Sequence, residues 1–215
     1  MDETEQLHLA DVESAGAGGH AARVAAVRAL RAGAEPRAVV LVEGVSDQVA
    51  VEALAERRGR NLDAEGVSVV PIGGAHSIGR FLTLFGPHGL DLRVAGLCDA
   101  AEEREFRRGL ERAGLGSHLT RVEMETLGFY VCVEDLEDEL ISALGVASVE
   151  EVADAEGELG SFRTFQKQPA QQGKTVEAQL WRWMGNRKIR YARLLVDALD
   201  LAHVPRPLDR VLAHV

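Results

Sequence analysis

A chain of 215 residues, 46% apolar, is long enough to bury one core with an appended element, and its net charge of −10 argues against a broad basic surface that captures nucleic acid by electrostatics alone. No apolar run approaches the roughly 18 residues of a membrane span, and the acidic start MDETEQLHLADVESAG lacks the basic and apolar regions of a secretory signal, so cytoplasmic residence is the expectation. Cys98 and Cys132 lie in apolar stretches, as buried thiols do, and the scattered histidines without a CxxC motif do not make a zinc site.

Residues 1–19 are acidic and then glycine-rich, which predicts weak order, and residues 20–31 read as a short amphipathic helix ending near Gly33 and Pro36. The apolar run Ala38–Val42 predicts a strand buried on both faces. It stops at Glu43 and Gly44, and a helix follows from Ser46 or Asp47, with Ser46 placed to cap it. Residues 67–72 predict a second strand, the Gly73 and Gly74 pair a turn, and Ile78, Phe81, Leu82 and Phe85 the apolar face of a second helix. Residues 92–98 form the third strand, which ends on Asp99 ahead of a helix over residues 101–114. A fourth apolar stretch, residues 127–133, runs into the acidic helix EDLEDELISALG, which ends near Gly145 and is followed by a short acidic one.

Residues 161–175 are polar, expected to wrap the core or move freely. Two short helices follow, the first with Trp181 and Trp183 and the second with Tyr191, Leu194, Leu195 and Leu199, and then a last turn or two after Pro205 and Pro207. Arg182, Arg187, Lys188, Arg190 and Arg193 make this end locally basic. The alternation predicts an α/β fold with a mainly parallel sheet, helices on both faces and a helical carboxyl-terminal extension. The expected division is a tail and short helix over residues 1–36, a core over 37–145 and a mostly helical extension packed on it over 146–215.

Acids delivered to the carboxyl edge of a parallel sheet stand where open α/β folds place their chemistry. Clustered carboxylates repel one another unless a cation neutralises them, and hard oxygen donors suit Mg2+ or Mn2+. Glu43, Asp47, Asp99, Asp135 and Glu137 would supply one ion or two, with Glu43 and Asp99 the sharper choices because each directly follows an apolar strand. Asp47 reads equally as a first-turn acid favoured by the helix dipole. Glu137, Asp138 and Glu139 occupy consecutive helical positions and cannot all face one site, and Glu102, Glu103 and Glu105 fit a solvated helix face.

VLVEGVSD, a glycine pair after the second strand, an aspartate after the third and DLEDEL after the fourth resemble the TOPRIM domain of the OLD family of nucleases, over about residues 39–140 and more loosely to residue 199. The resemblance implies a TOPRIM-like fold and divalent-metal-dependent phosphodiester hydrolysis on DNA. It matches Glu43 to the family's glutamate, Asp47 to its accompanying acid, Asp99 to the first acid of a DxD pair, and Asp135 and Glu137 to a DxE feature. Ala101 stands where the second DxD acid belongs, and Glu102 or Glu103, one helical turn beyond Asp99, would compensate. A catalytic lysine before a late helix corresponds to Lys188, with Lys174 the competing assignment; Lys188 and its neighbouring arginines would meet the phosphate backbone. His76 is a minor candidate for phosphate or metal, and one of Trp181 and Trp183 is expected in the core with the other exposed, either being able to stack on a base.

No GxxxxGK[ST] loop occurs in the chain, so nucleotide-driven loading would come from a separate ATPase or helicase subunit. DNA and a second copy of the chain complete the expected partners, with no membrane. Competing with a nuclease or nicking enzyme are a non-cleaving regulatory or scaffold subunit of a DNA defence or repair assembly, and metal-dependent phosphotransfer on a small molecule.

Overall fold

Strand β1 (Ala38–Val42) is buried along its whole length because it runs through the middle of the sheet. The order is β2-β1-β3-β4, with β2 (Val67–Pro71) on one side of β1, β3 (Arg93–Cys98) on the other, β4 (Phe129–Val131) beyond it, and every pair parallel. The computed structural model describes residues 35–215, so the helix expected over residues 20–31 lies outside the described residues. Side chains alternate across the sheet: Val40 and Val42 enter one core, Val39 and Leu41 the other. Gly96 of β3 lets Phe129 cross its face, since a β-carbon there would stand 2.6 Å from that ring.

Helices cover both faces. On one lie α2 (Ile78–Phe85), α3 (Glu103–Arg112) and α4 (Arg121–Thr126), with Ile78, Phe81, Leu82 and Phe85 buried as their spacing predicts. On the other, α1 (Val45–Arg57) packs with the carboxyl-terminal elements α5 (Leu136–Ala155), α6 (Leu159–Gln166), α7 (Val176–Met184), α8 (Lys188–Ala198) and α9 (Arg206–His214). Arg57 fastens this extension to α1 by donating to the carbonyls of Val196 at 2.7 Å and Leu199 at 2.6 Å. Arg60 does the same to Leu212 at 2.6 Å and Val215 at 3.0 Å. No helix among the described residues is long and apolar enough to cross a membrane.

Local expectations change at several points. Ser46 does not cap α1: extended Gly44 is the N-cap and its N–H is taken by the Asp47 carboxylate at 2.8 Å, so the acid three residues on closes the turn. Helix α4 was not expected, although Thr120 and Glu123 form a reciprocal capping box at its start. The polar stretch after Gly160 holds most of α6, which buries Phe162, and a 3-10 turn at Pro169–Gln171. Buried Gln179 ties these together, donating to the Gln171 carbonyl at 2.9 Å and accepting from Gln166 at 2.8 Å. The final helix is nine residues long, more than the expected turn or two. Where α5 was expected to end, Gly145 breaks the helical path with φ 73°, and the helix resumes at once.

Candidate functional site

The register of β1 and β3, in which Leu41 faces Gly96, brings Glu43 and Asp99 to the same edge of the sheet. There the Asp99 N–H donates to Glu43 Oε1 at 2.9 Å. The turn beneath is built by the glycine pair, both with positive φ, whose N–H groups donate to the Glu43 carbonyl at 3.1 and 3.3 Å. Asp47 enters from the first turn of α1.

Asp135 is the N-cap of α5, its Oδ1 accepting from the Asp138 N–H at 2.8 Å. Its Oδ2 accepts from Trp181 Nε1 at 2.6 Å and from Lys188 Nζ at 3.4 Å. Lys188 Nζ also donates to Glu137 Oε2 at 2.9 Å, while Glu137 Oε1 is buried with no hydrogen-bond partner.

The electrostatics show that these acids share one field. Burial pushes Asp47 up to about 7, and the charges of Glu137 and Glu43 push the same way. Burial and then Glu43, Asp47, Asp135 and Glu137 push Asp99 up to about 8. Glu43 is also raised, chiefly by burial, with Glu102 and Asp135 adding to it. Burial opposes the charge on Lys188, yet its bonds to Glu137 and Asp135 hold its pKa above the ordinary value.

The structure therefore brings together Glu43, Asp47, Asp99, Asp135, Glu137 and Lys188. Glu103 is held by Arg107 and Arg121, and the Arg121 hydrogen bond foremost lowers its pKa; Glu102 is the acid after Asp99 whose charge reaches Glu43. Lys174 is bonded to the Ala170 carbonyl. His76 is exposed beside Glu105 at 3.8 Å, in the cleft between α2 and α3. Trp183 is the core tryptophan, its ring 5.3 Å from Phe162 and 5.4 Å from Tyr191. Trp181, treated in the sequence only as a stacking or packing residue, proves to be a donor to a site carboxylate; its place outside the buried face of Leu180, Trp183 and Met184 was the available signal.

The expected basic patch is largely neutralised. Arg187 pairs with Glu158 at 3.3 Å, Arg190 with Glu156 and Glu158, and Arg193 with Glu56 at 2.7 Å and Asp197 at 3.0 Å. Of those arginines only Arg182 makes no ion pair among the described residues.

Among the described residues no three acid, histidine or cysteine side chains stand close enough to grip a metal ion as placed. The donors nonetheless fit a hard divalent cation: all are oxygens, Glu137 Oε1 is buried and unpartnered, and the carboxyls raise one another toward protonation, a repulsion such a cation would relieve.

Residues 36–100 match the family model described as Overcoming lysogenization defect protein-like, TOPRIM domain. No curated protein matches the chain. A solved structure of the C-terminal region of the Xanthomonas campestris pv. campestris OLD protein is 27% identical, covers 83% of this chain and 91% of that one, and superposes with a TM-score of 0.66. A second structure of that region, also 27% identical with 83% and 93% covered, gives 0.63. The C-terminal region of the Burkholderia pseudomallei OLD protein, 23% identical with 83% and 96% covered, gives 0.60 and shares the fold.

Proposed function

Proceeding from a TOPRIM domain related to that of the OLD nucleases, we propose that the chain hydrolyses phosphodiester bonds in DNA, as a nuclease or nicking enzyme dependent on Mg2+ or Mn2+. The observation that carries this reading is the convergence of five acids from β1, α1, β3 and α5 on one sheet edge, beside one lysine. Glu43 and Asp99 would hold one ion, and Asp47, Asp135 and Glu137 would place a second or orient its waters. When bound, such ions acidify an attacking water and oppose the charge that develops on the phosphoryl and leaving oxygens.

The chain's own residues do the positioning. The Asp99 N–H fixes one Glu43 oxygen, and Trp181 with the Asp138 N–H fixes the Asp135 carboxylate. An ammonium group has three hydrogens; Asp135 and Glu137 engage two, so Lys188 retains one for a phosphoryl oxygen whose charge grows in the transition state.

A second reading, a non-cleaving regulatory or scaffold subunit, draws on a specific observation: Ala101 removes one acid of the pair, Glu103 is committed to two arginines, and Lys188 already offsets part of the charge of Asp135 and Glu137. Supercoiled plasmid incubated with magnesium or manganese separates the two. Nicking by the parent that Glu43→Ala and Asp99→Ala each abolish supports the enzyme; no nicking by purified parent, with divalent-ion binding retained, supports the subunit.

A further inference from the structure

Seven large apolar side chains are exposed among the described residues, and four of them neighbour residues of the acid cluster in sequence or through a hydrogen bond. Val45, 47% exposed, opens α1 between Glu43 and Asp47; Val133, 69% exposed, precedes Glu134 and Asp135. Trp181, 37% exposed, donates to Asp135, and Ile189, 55% exposed, follows Lys188. Single exposed apolar groups need no explanation, but these four lie within two residues or one hydrogen bond of the site's charged groups.

A DNA duplex would bring its sugar-phosphate surface to this rim and gain little from hydrocarbon. The neighbouring arginines that would reward a duplex backbone are mostly occupied by Glu56, Glu156, Glu158 and Asp197. An unpaired strand offers what the rim can use: π faces, freed from the duplex stack, to lie on an indole and against the valines and isoleucine, next to a phosphate that the lysine can meet. Trp181 is fixed for such a role, with its N–H held by Asp135 at 2.6 Å and the Lys188 ammonium 5.6 Å from its ring centroid.

We infer that Val45, Val133, Trp181 and Ile189 form a platform for unpaired nucleobases, so that the strand presented to the acids is single-stranded DNA or an unpaired stretch of a duplex. The inference rests on the phosphodiester reading of the same site. Stacking on the platform positions the strand, and Lys188 with the bound cation meets the intervening phosphate.

The test measures binding apart from turnover, with calcium in place of magnesium, on a labelled mixed-sequence strand of about 16 nucleotides and on the same strand annealed to its complement. The expected result is that the single strand binds about tenfold more tightly than the duplex and quenches tryptophan emission, and that Trp181→Phe abolishes the quenching. The double variant Val133→Ser, Ile189→Ser changes only exposed positions; it should weaken the single strand about threefold and leave the duplex within about twofold. Equal affinity for strand and duplex, or equal weakening of both by the double variant, overturns the inference while leaving the phosphodiester reading intact. Binding of neither DNA alongside plasmid nicking also overturns it, and binding of neither without nicking overturns both readings. If the serine variant instead converts a dimer to a monomer in sedimentation and leaves single-strand affinity unchanged, the rim is an interface between copies and the inference fails.

Discussion

Asparagine at position 47 would isolate the repulsion among the acids from the rest of the fold. Burial, then Glu137 and Glu43, push the Asp47 carboxyl from its ordinary 3.8 up to about 7. A folded-state pKa above the unfolded one means that between these values the folded chain holds a proton that the unfolded chain has released. The associated stability is therefore complete below about pH 4 and is lost as pH rises through about 7. Asp99, pushed up to about 8 by burial and the same neighbours, extends the loss to higher pH. For an isolated group the Asp47 displacement corresponds to about 4 kcal/mol, at 1.36 kcal/mol per pKa unit. Proton sharing among coupled carboxyls and the high effective dielectric of such sites reduce this to about 1–2 kcal/mol. Asparagine keeps an oxygen to accept from the Gly44 N–H, a bond of 2.8 Å in the parent, and removes the charge. Asp47→Asn should therefore raise the melting temperature of metal-free protein at pH 8 by roughly 2–8 °C, with little effect near pH 4, and should reduce the stabilisation that magnesium gives at pH 8. Calorimetric or circular-dichroism melts in EDTA and in magnesium at both pH values check this. A variant no more stable than the parent at pH 8 in EDTA, or a metal-free parent whose stability does not fall between pH 4 and 8, would refute the reasoning.

Lys188→Met leaves the buried Glu137 carboxylate without its cation. Removing one partner of a buried pair costs about 3–5 kcal/mol, and because about a third of the lysine side chain is exposed the expected loss is about 1–2 kcal/mol in metal-free urea melts, smaller when magnesium is present. Gly96→Val places a β-carbon 2.6 Å from the Phe129 ring and 3.1 Å from the Leu41 carbonyl oxygen, and should lower stability by about 1–3 kcal/mol, read as a reduced urea midpoint at unchanged slope. With Arg187, Arg190 and Arg193 paired internally, DNA affinity should fall with salt along a log–log slope of roughly −1 to −2; a slope of about −4 would show that these pairs open to bind phosphate.

Glu43 and Asp99 were legible in the sequence because parallel strands end on one edge, so an acid directly after each of two apolar runs must arrive near the other. The buried face of α2 was legible for the same reason, since Ile78, Phe81, Leu82 and Phe85 recur at helical spacing. What escaped depends on partners distant in the chain. Arg190 and Arg193 read as a basic patch because Glu156, Glu158 and Glu56 reach them only once α8 packs against α1 and α5. Glu103 read as a compensating acid although Arg107 stands four residues on at ion-pair spacing; its second partner, Arg121, eighteen residues on, carries no local sign of the pairing. The Trp181 bond to Asp135 spans 46 residues and likewise needed the packed helices. Two misses were local and could have been read: Gly44 with Asp47 as the opening of α1, and Thr120 with Glu123 as the capping box of α4.

Lys188 follows Glu137 by 51 residues, and the order of synthesis gives that separation a meaning in time. At roughly 5–20 residues per second, all five acids have been made about 3–10 s before the lysine. During that interval β1, β3 and the start of α5 have no cation of their own to quiet the sheet edge. Divalent ions in the surrounding solution would be the first available counter-charge, so the ionic composition in which the chain is made would influence whether its amino-terminal half closes early or waits for α8.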